Sequence, residues 1–361
     1  MKIRILSLIM ALILACCAFT GCKKSNEDVT SESDTAVSAP EKLVGVKDGK
    51  YLNNLTGCYE FDSAEEANSR PVAVMVNNIS VAQKVQTGLA NASIVYETVV
   101  EGGITRLLAI YKNINAVGDI GTVRSARYSY LDLANGHDAI YFHCGADEFY
   151  YVPHVNELSS DIININTGAN NKYGRREKNG LASEHTMYTT GQLISNAIKD
   201  IGHRNTLKDE NAFAVKWQNF ADEGKSVKHK DGVATKASVY FSGSYITTFD
   251  YDADSKMYVK SNKSGNNTDY KTGEKNSYKN VLVLFAKVTN FDDNYHTKIH
   301  LDSGEGYYIT NGTMKNIKWT KADSYSQFKI TDLNGKDVEF NAGNTYVCVP
   351  PESGKAKTKI S

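Results

Sequence analysis

Four short apolar runs constrain the fold most. Pro71 to Val76, Ser93 to Val99, Arg106 to Tyr111 and Ala139 to His143 are rich in β-branched and aromatic residues and too short for ordinary helices. Around them, Ser125 to Asn135 and Thr190 to Ile201 carry helical patterns. In the second, Thr190 stands as a cap before Leu193, Ile194, Ala197, Ile198 and Ile201 at helical spacing. Strands and helices interleaved in one stretch must bury each other's apolar faces, which predicts a layered α/β sandwich over residues 55–204.

After Arg204 the pattern changes. Ala237 to Phe241, Thr247 to Tyr251, Met257 to Lys260, Val281 to Val288, Lys298 to Leu301, Gly306 to Thr310 and Met314 to Lys318 are short, often alternating, and separated by Gly, Asn and Asp. Asn311-Gly312 and Asn334-Gly335 read as type I′ hairpin turns. Asn262 to Asn276 reads as a polar loop. The expected class is therefore α+β: the sandwich, followed by a smaller, mainly-β domain over residues 205–361.

The N-terminus carries a basic Lys2 and Arg4, an apolar run from Ile5 to Phe19, and the small residues before Cys22. This is the order of a signal peptide, residues 1–21, and the run is short for a membrane span. Phe19-Thr20-Gly21-Cys22 resembles the lipobox of bacterial lipoproteins, which implies a diacylated Cys22 and an anchor on the outer face of the cell membrane. Residues 22–54 are expected to be a flexible stalk, because Lys23 to Pro40 offers almost nothing large and apolar to bury.

Loss of Lys2 and Arg4 with the leader leaves 39 basic against 41 acidic residues, so charge implies no nucleic acid partner. Cys58, Cys144 and Cys348 remain in the body, widely spaced, so neither a disulfide framework nor a CxxC metal site is legible. No nucleotide or cofactor motif is present, since Gly57 and Gly102-Gly103 fit neither GxGxxG nor a P-loop.

The densest chemistry lies in Glu97, the stretch Glu101 to Arg106, the stretch Gly121 to Arg127, Asp132 and His143-Cys144-Gly145, with Glu184-His185 further on. Several long stretches carry a resemblance: RPVAVMVNN (70–78), ANASIVYETVVEGGITRLLAIY (90–111), IGTVRSAR (120–127), the HxG at His143, HTMYT (185–189), VLVL (281–284), GEGYYITNG (304–312) and IKWTK (317–321). In these the chain resembles the YerB-like lipoproteins of Gram-positive bacteria, over about residues 55 to 350. The resemblance implies a two-domain lipoprotein with an α/β N-terminal and a β-rich C-terminal domain, and no settled activity.

Arg124 and Arg127 would share one face if Ser125 opens a helix, and Arg106 would join them after the Gly102-Gly103 turn, giving an anion site. The competing expectation is that these arginines are saturated by Glu97, Glu101 and Asp132 in a structural network. Ligand contacts are assigned to Arg106, Arg124, Arg127, His143, His185, Glu97, Glu101 and Asp132. The ligand class is a cell-wall fragment, another anion or an envelope protein.

The alternative is a peptidoglycan-acting enzyme in the same cleft, using Glu97 and Glu101, which spacing of four places on one face of a strand. A Cys144 nucleophile is opposed by its neighbour: on a strand, His143 and Cys144 point to opposite faces. A metal held by His143 and His185 with Glu97, Glu101 or Asp147 has no recognisable ligand spacing, so none is assigned. His137, His154, His203, His229, His296 and His300 read as surface or loop residues. Tyr128, Tyr130, Tyr141, Tyr150, Tyr151, Tyr173 and Tyr188 fit either a groove lining or a core edge.

Overall fold

The structure, a computed structural model, describes residues 45–361 except 210, 266 and 267. The leader, Cys22 and the stalk through residue 44 lie outside the described residues.

An eleven-stranded mixed sheet runs through the molecule. In chain order its strands are β1 (Val72–Asn77), β2 (Ile94–Val99), β3 (Thr105–Tyr111), β4 (Ile140–His143), β5 (Ile162–Asn164), β6 (Gly232–Val233), β7 (Asn280–Leu284), β8 (Ser303–Thr310), β9 (Thr313–Thr320), β10 (Lys329–Asp332) and β11 (Thr345–Val349). The spatial order is β6-β9-β8-β7-β11-β2-β3-β1-β4-β5, with β10 also paired to β9. The first five and the last six strands thus meet at one seam. There β11 pairs with β2 in parallel, Thr345 opposite Ile94 and Val349 opposite Thr98. β1 through β4, β7 and β11 are buried along their whole length, as near-continuous apolar runs require when both faces of a sheet are covered.

The α-helices are α1 (Ala64–Asn68), α2 (Tyr128–Asn135), α3 (Tyr151–Leu158) and α4 (Gly191–Ile201), and none follows Ile201 among the described residues. The architecture is thus mostly β, with the helices in the first half. α4 starts where the pattern predicts: the Thr190 hydroxyl accepts from the Leu193 amide at 3.1 Å, and Ile194, Ala197 and Ile198 are buried. A second, five-stranded antiparallel sheet comprises Lys236–Tyr240, Ile246–Asp252, Met257–Asn262, Ser277–Tyr278 and Lys359–Ile360. It packs on the seam: the Tyr346 ring of β11 meets Phe249 and Tyr278 edge-on, with centroids 5.1 and 4.9 Å apart.

Beneath that contact lies Glu97 of β2, with no exposed surface. One carboxylate oxygen accepts from Asn78 Nδ2 at 3.0 Å and Thr105 Oγ1 at 2.8 Å. The other accepts from Thr247 Oγ1 at 2.8 Å and the Tyr346 hydroxyl at 2.7 Å. Buried charge persists only when it is this thoroughly bonded. Lys260 is buried close by; desolvation pushes its ammonium below the usual lysine range, and the Glu97 charge opposes that shift.

Several expectations need correction. Within the expected stalk, Val46–Lys47 and Lys50–Asn53 form two strands of a three-stranded sheet with Cys58–Phe61, and Leu52 is buried, because this apolar side chain finds a surface to cover. The helix expected from Ser125 begins at Tyr128, since the segment before it bonds to strand ends instead. The run Val281 to Val288 divides into β7 and a separate strand, Val288–Asn290. Asn311 and Gly312 both have positive φ, 48° and 71°, as the type I′ turn between β8 and β9 demands. At the second predicted turn only Gly335 does, at 86°, and the Asp332 amide bonds to the Lys336 carbonyl, so that loop has three residues. His137 and His154 are buried rather than at the surface. The Cys58, Cys144 and Cys348 thiols are free.

Glu97→Ala strands four donors in a closed interior and is expected to lower the unfolding free energy by roughly 3–5 kcal/mol in urea titration. A loss below about 0.5 kcal/mol, the level of an ordinary surface change, would remove Glu97 from the seam's stability.

Candidate functional site

β1, β4 and β5 are mutually parallel, and their carboxyl ends lie along one edge together with the start of the antiparallel β3. In open sheets with helical crossovers this edge is where ligands bind, because loops there are free to vary over a rigid scaffold. The segment Gly121–Ala126 lies across it. Asn77 N donates to the Thr122 carbonyl at 2.8 Å, Arg124 N to Met75 at 2.9 Å, Cys144 N to Arg124 at 3.0 Å, and Ala126 N to Gly145 at 3.0 Å. Arg124 and Arg127 are therefore set by strand-end hydrogen bonds, not by a shared helix face.

Arg106 is the second residue of β3, is 6 % exposed, and donates Nη1 to the Ser125 carbonyl. Burial, and then the neighbouring Arg127 and Arg124 charges, pull its guanidinium down to about 9, with Glu101 opposing. Arg127 Nε donates to Glu101 Oε2 at 2.8 Å, and its Nη1 to the Ala126 carbonyl at 2.8 Å. Glu101 sits in a one-turn bend, Glu101–Gly103, where Gly102 and Gly103 have φ of 69° and 67°; two successive left-handed residues favour glycine. Glu101 is thus off the strand that carries Glu97, and the two carboxylates do not form a pair.

Arg124 is held loosely. Its Nη1 donates to the Glu184 carbonyl at 3.3 Å, its Nη2 lies 3.5 Å from the Glu184 carboxylate, and that side chain is 58 % exposed. His185 borders this contact. Its Nδ1 accepts from Asn77 Nδ2 at 2.9 Å, and its Nε2 is 3.6 Å from the Glu184 carboxylate. Burial, then the Arg124 charge, hold this imidazole below the usual histidine range.

The expected network of arginines saturated by three carboxylates does not form. Glu97 is enclosed by Asn78, Thr105, Thr247 and Tyr346. Asp132 faces α3 instead and accepts from His154 Nε2 at 2.8 Å. His143 is a core residue: Nδ1 donates to the Gly145 carbonyl and Nε2 accepts from the Tyr151 hydroxyl, each at 2.8 Å. Burial lowers it to about 4. Of the eight predicted contact residues, the fold brings together Arg106, Arg124, Arg127, Glu101 and His185, and it separates Glu97, Asp132 and His143.

Sequence reasoning missed Arg176. It acts with Arg124 on the Cys144 thiol, so a fourth guanidinium borders the edge, and it donates Nη1 to the Ser183 carbonyl. The available signal was the pair Arg175-Arg176 on a strand, where alternation separates them. Arg175 is taken up by Asp119 and Glu177, which leaves Arg176 for the other side. Burial raises the Cys144 thiol despite these charges, and its nearest partner is Asn166 Oδ1 at 3.9 Å, which does not make it a nucleophile. Tyr130, Tyr141, Tyr151 and Tyr188 are interior, so they line the core and not a groove. Among the described residues no three His, Cys, Asp or Glu side chains gather as metal ligands.

Comparison with known proteins gives consistent matches along the chain. Residues 55–204 match the N-terminal domain, and residues 233–347 the C-terminal domain, of the family described as "Protein of unknown function (DUF3048)". The Bacillus subtilis (strain 168) protein named "Putative lipoprotein YerB" is 28% identical over 292 residues, 78% of this chain and 82% of that one. The crystal structure of the YerB protein from Bacillus subtilis superposes with a TM-score of 0.71 at 25% identity, covering 86% of this chain and all of that one.

His143 supplies a pH prediction. Its folded value of about 4 lies below 6.5, so between those pH values the unfolded chain holds a proton that the folded chain does not. Stability from the neutral ring is complete above pH 6.5 and is lost as pH falls toward 4, by up to about 3 kcal/mol. His143→Gln is expected to flatten that part of the pH dependence of unfolding. An unchanged slope would show that His143 does not contribute to it.

Proposed function

The chain belongs to the DUF3048 family, and from that premise we propose that it is a lipid-anchored lipoprotein of the extracytoplasmic membrane face whose first half binds an anionic ligand through Arg106, Arg124, Arg127 and His185. The observation that carries this reading is the imbalance of charge at the strand ends. The Arg124 and Arg127 charges both act on Arg106 there, and the acidic side chains in contact with Arg124 and Arg127 are Glu184, which is exposed, and Glu101. An incoming carboxylate or phosphate would offset the burial and the neighbouring positive charges that depress Arg106, and guanidinium forks suit both groups. In an envelope setting the ligand is a cell-wall fragment or an acidic surface of an envelope protein. The role is binding, not turnover: catalysis by Glu97 and Glu101 would need two accessible carboxylates, and Glu97 is closed off by four hydrogen bonds.

The anchor is assigned to Cys22, on the leader and the lipobox-like residues before it. The lipoprotein name of the Bacillus subtilis relative supports the same reading. Cys22→Ser is expected to abolish labelling by radioactive palmitate and to shift the protein from membrane to soluble fractions. Retained label would place the acyl chains elsewhere.

The arginine site is tested by calorimetry on the full chain in mild detergent at low salt, titrated with inorganic phosphate and with purified peptidoglycan fragments. Arg124→Ala or Arg127→Ala, with an unchanged near-ultraviolet circular dichroism spectrum, is expected to weaken binding at least about tenfold, roughly 1.4 kcal/mol. Equal affinity in both variants, or none in the parent chain, would sink the assignment.

A further inference from the structure

β3 begins at the arginine edge and ends at Tyr111, and the residue that follows is a buried lysine. Lys112 is 2 % exposed, and its Nζ donates to the Ser69 carbonyl at 2.7 Å while Ser69 Oγ donates to the Lys112 carbonyl at 2.8 Å. Among the described residues no carboxylate lies within 4.0 Å of that ammonium, so one carbonyl serves three N–H donors. Desolvation pushes it down to about 7, with the charge of Asp138 opposing. Asp138 and Asp161 are already taken by Arg70, Arg204 and His203.

Lys112 also lines two cavities, of about 820 and 360 Å³. The larger lies between α1, α4 and the chain around Asn205, and Asn115, Gln192, Asn196 and Asn205 are on its wall. Its other charged lining residues are Glu65, Glu66, Arg70, Lys199 and His203. Glu65 and Lys199 are exposed and opposite in sign, and Glu66 already accepts from Asp62 N, Ser63 Oγ and Asn113 Nδ2. The cavity therefore combines one buried amine with no carboxylate in contact and neutral amides exposed around its rim. Buried cations are stable when paired, and amide side chains both donate to and accept from hydroxyls. A volume of this size admits a small ligand.

We propose that this cavity is a second binding site, for a small polyhydroxylated acid such as a sugar bearing one carboxylate, with Lys112 as its counter-ion and the asparagine and glutamine side chains holding its hydroxyls. The site is separate from the arginine edge, so either assignment stands without the other.

Glucuronate is the probe, titrated by calorimetry in mild detergent into the full chain carrying Arg124→Ala and Arg127→Ala, which removes the arginine edge as a competing anion site, with glucose, acetate and inorganic phosphate as separate arms. Glucuronate is expected to bind at least tenfold more tightly than the other three. Lys112→Met, with an unchanged circular dichroism spectrum, and the surface variant Asn205→Ala are each expected to weaken it, the first at least tenfold. The Lys112 ammonium, followed by nuclear magnetic resonance, should titrate at higher pH when glucuronate is present. Equal binding of glucose would overturn the counter-ion role, equal binding of phosphate or acetate would overturn the sugar-acid assignment, and no binding would overturn the site. If Lys112→Met does not fold, Asn205→Ala and the Lys112 titration decide the matter.

Discussion

The parallel pairing of β2 with β11 is the contact on which the rest of the molecule depends. It joins residues near position 95 to residues near position 347, so the main sheet is complete only when the two ends of the body have met. Closing so long a loop is entropically costly and must be offset by what the seam buries. Tyr346 and Cys348 of β11, Glu97 of β2 and Phe249 of the second sheet are all without appreciable exposure. The Glu97 carboxylate contributes direction where apolar contact cannot, because its four partners come from β3, the turn after β1, the second sheet and β11. The chain matches two family domains, yet hydrogen bonding across the sheet continues from one into the other.

That rigid sheet has two ends, and chemistry gathers at both. At the carboxyl ends of β1, β4 and β5, guanidiniums outnumber the carboxylates that contact them. Past the other end of β3, the single ammonium of Lys112 has no carboxylate beside it among the described residues. Both place positive charge, only partly balanced by nearby carboxylates, in desolvated surroundings, where charge interactions are stronger than at an open surface. The net charge of the chain does not disclose either, because acidic residues elsewhere balance the count.

Local periodicity made the strands and α4 legible. β1 to β4 and the Thr190 cap fall within a residue or two of where apolar runs and capping chemistry place them, since both depend on near neighbours in the chain. The start of α2 was not legible, because Arg124 and Ala126 make their backbone hydrogen bonds with Met75, Cys144 and Gly145 and the Ser125 carbonyl accepts from the Arg106 guanidinium, residues no local pattern connects. The buried state of residues 52 to 54 was equally hidden, since a polar neighbourhood pointed to a stalk and only distant partners such as Trp217, whose backbone amide donates to the Asn54 carbonyl at 3.2 Å, supply the cover.

By itself, the sequence determined the change from mixed to strand-rich pattern after Arg204 and three of the arginines at the first edge, Arg106, Arg124 and Arg127. These are properties of short stretches, and short-range sterics and hydrophobic period are enough to express them. Only the tertiary structure decided which acids meet which bases. Glu97 went to hydroxyls and an amide, Asp132 to His154, Glu101 to Arg127, and Lys112 to a backbone carbonyl. Charge pairing depends on distance through space and on the loss of solvent around each group, and both are set by the packing of residues far apart in the chain.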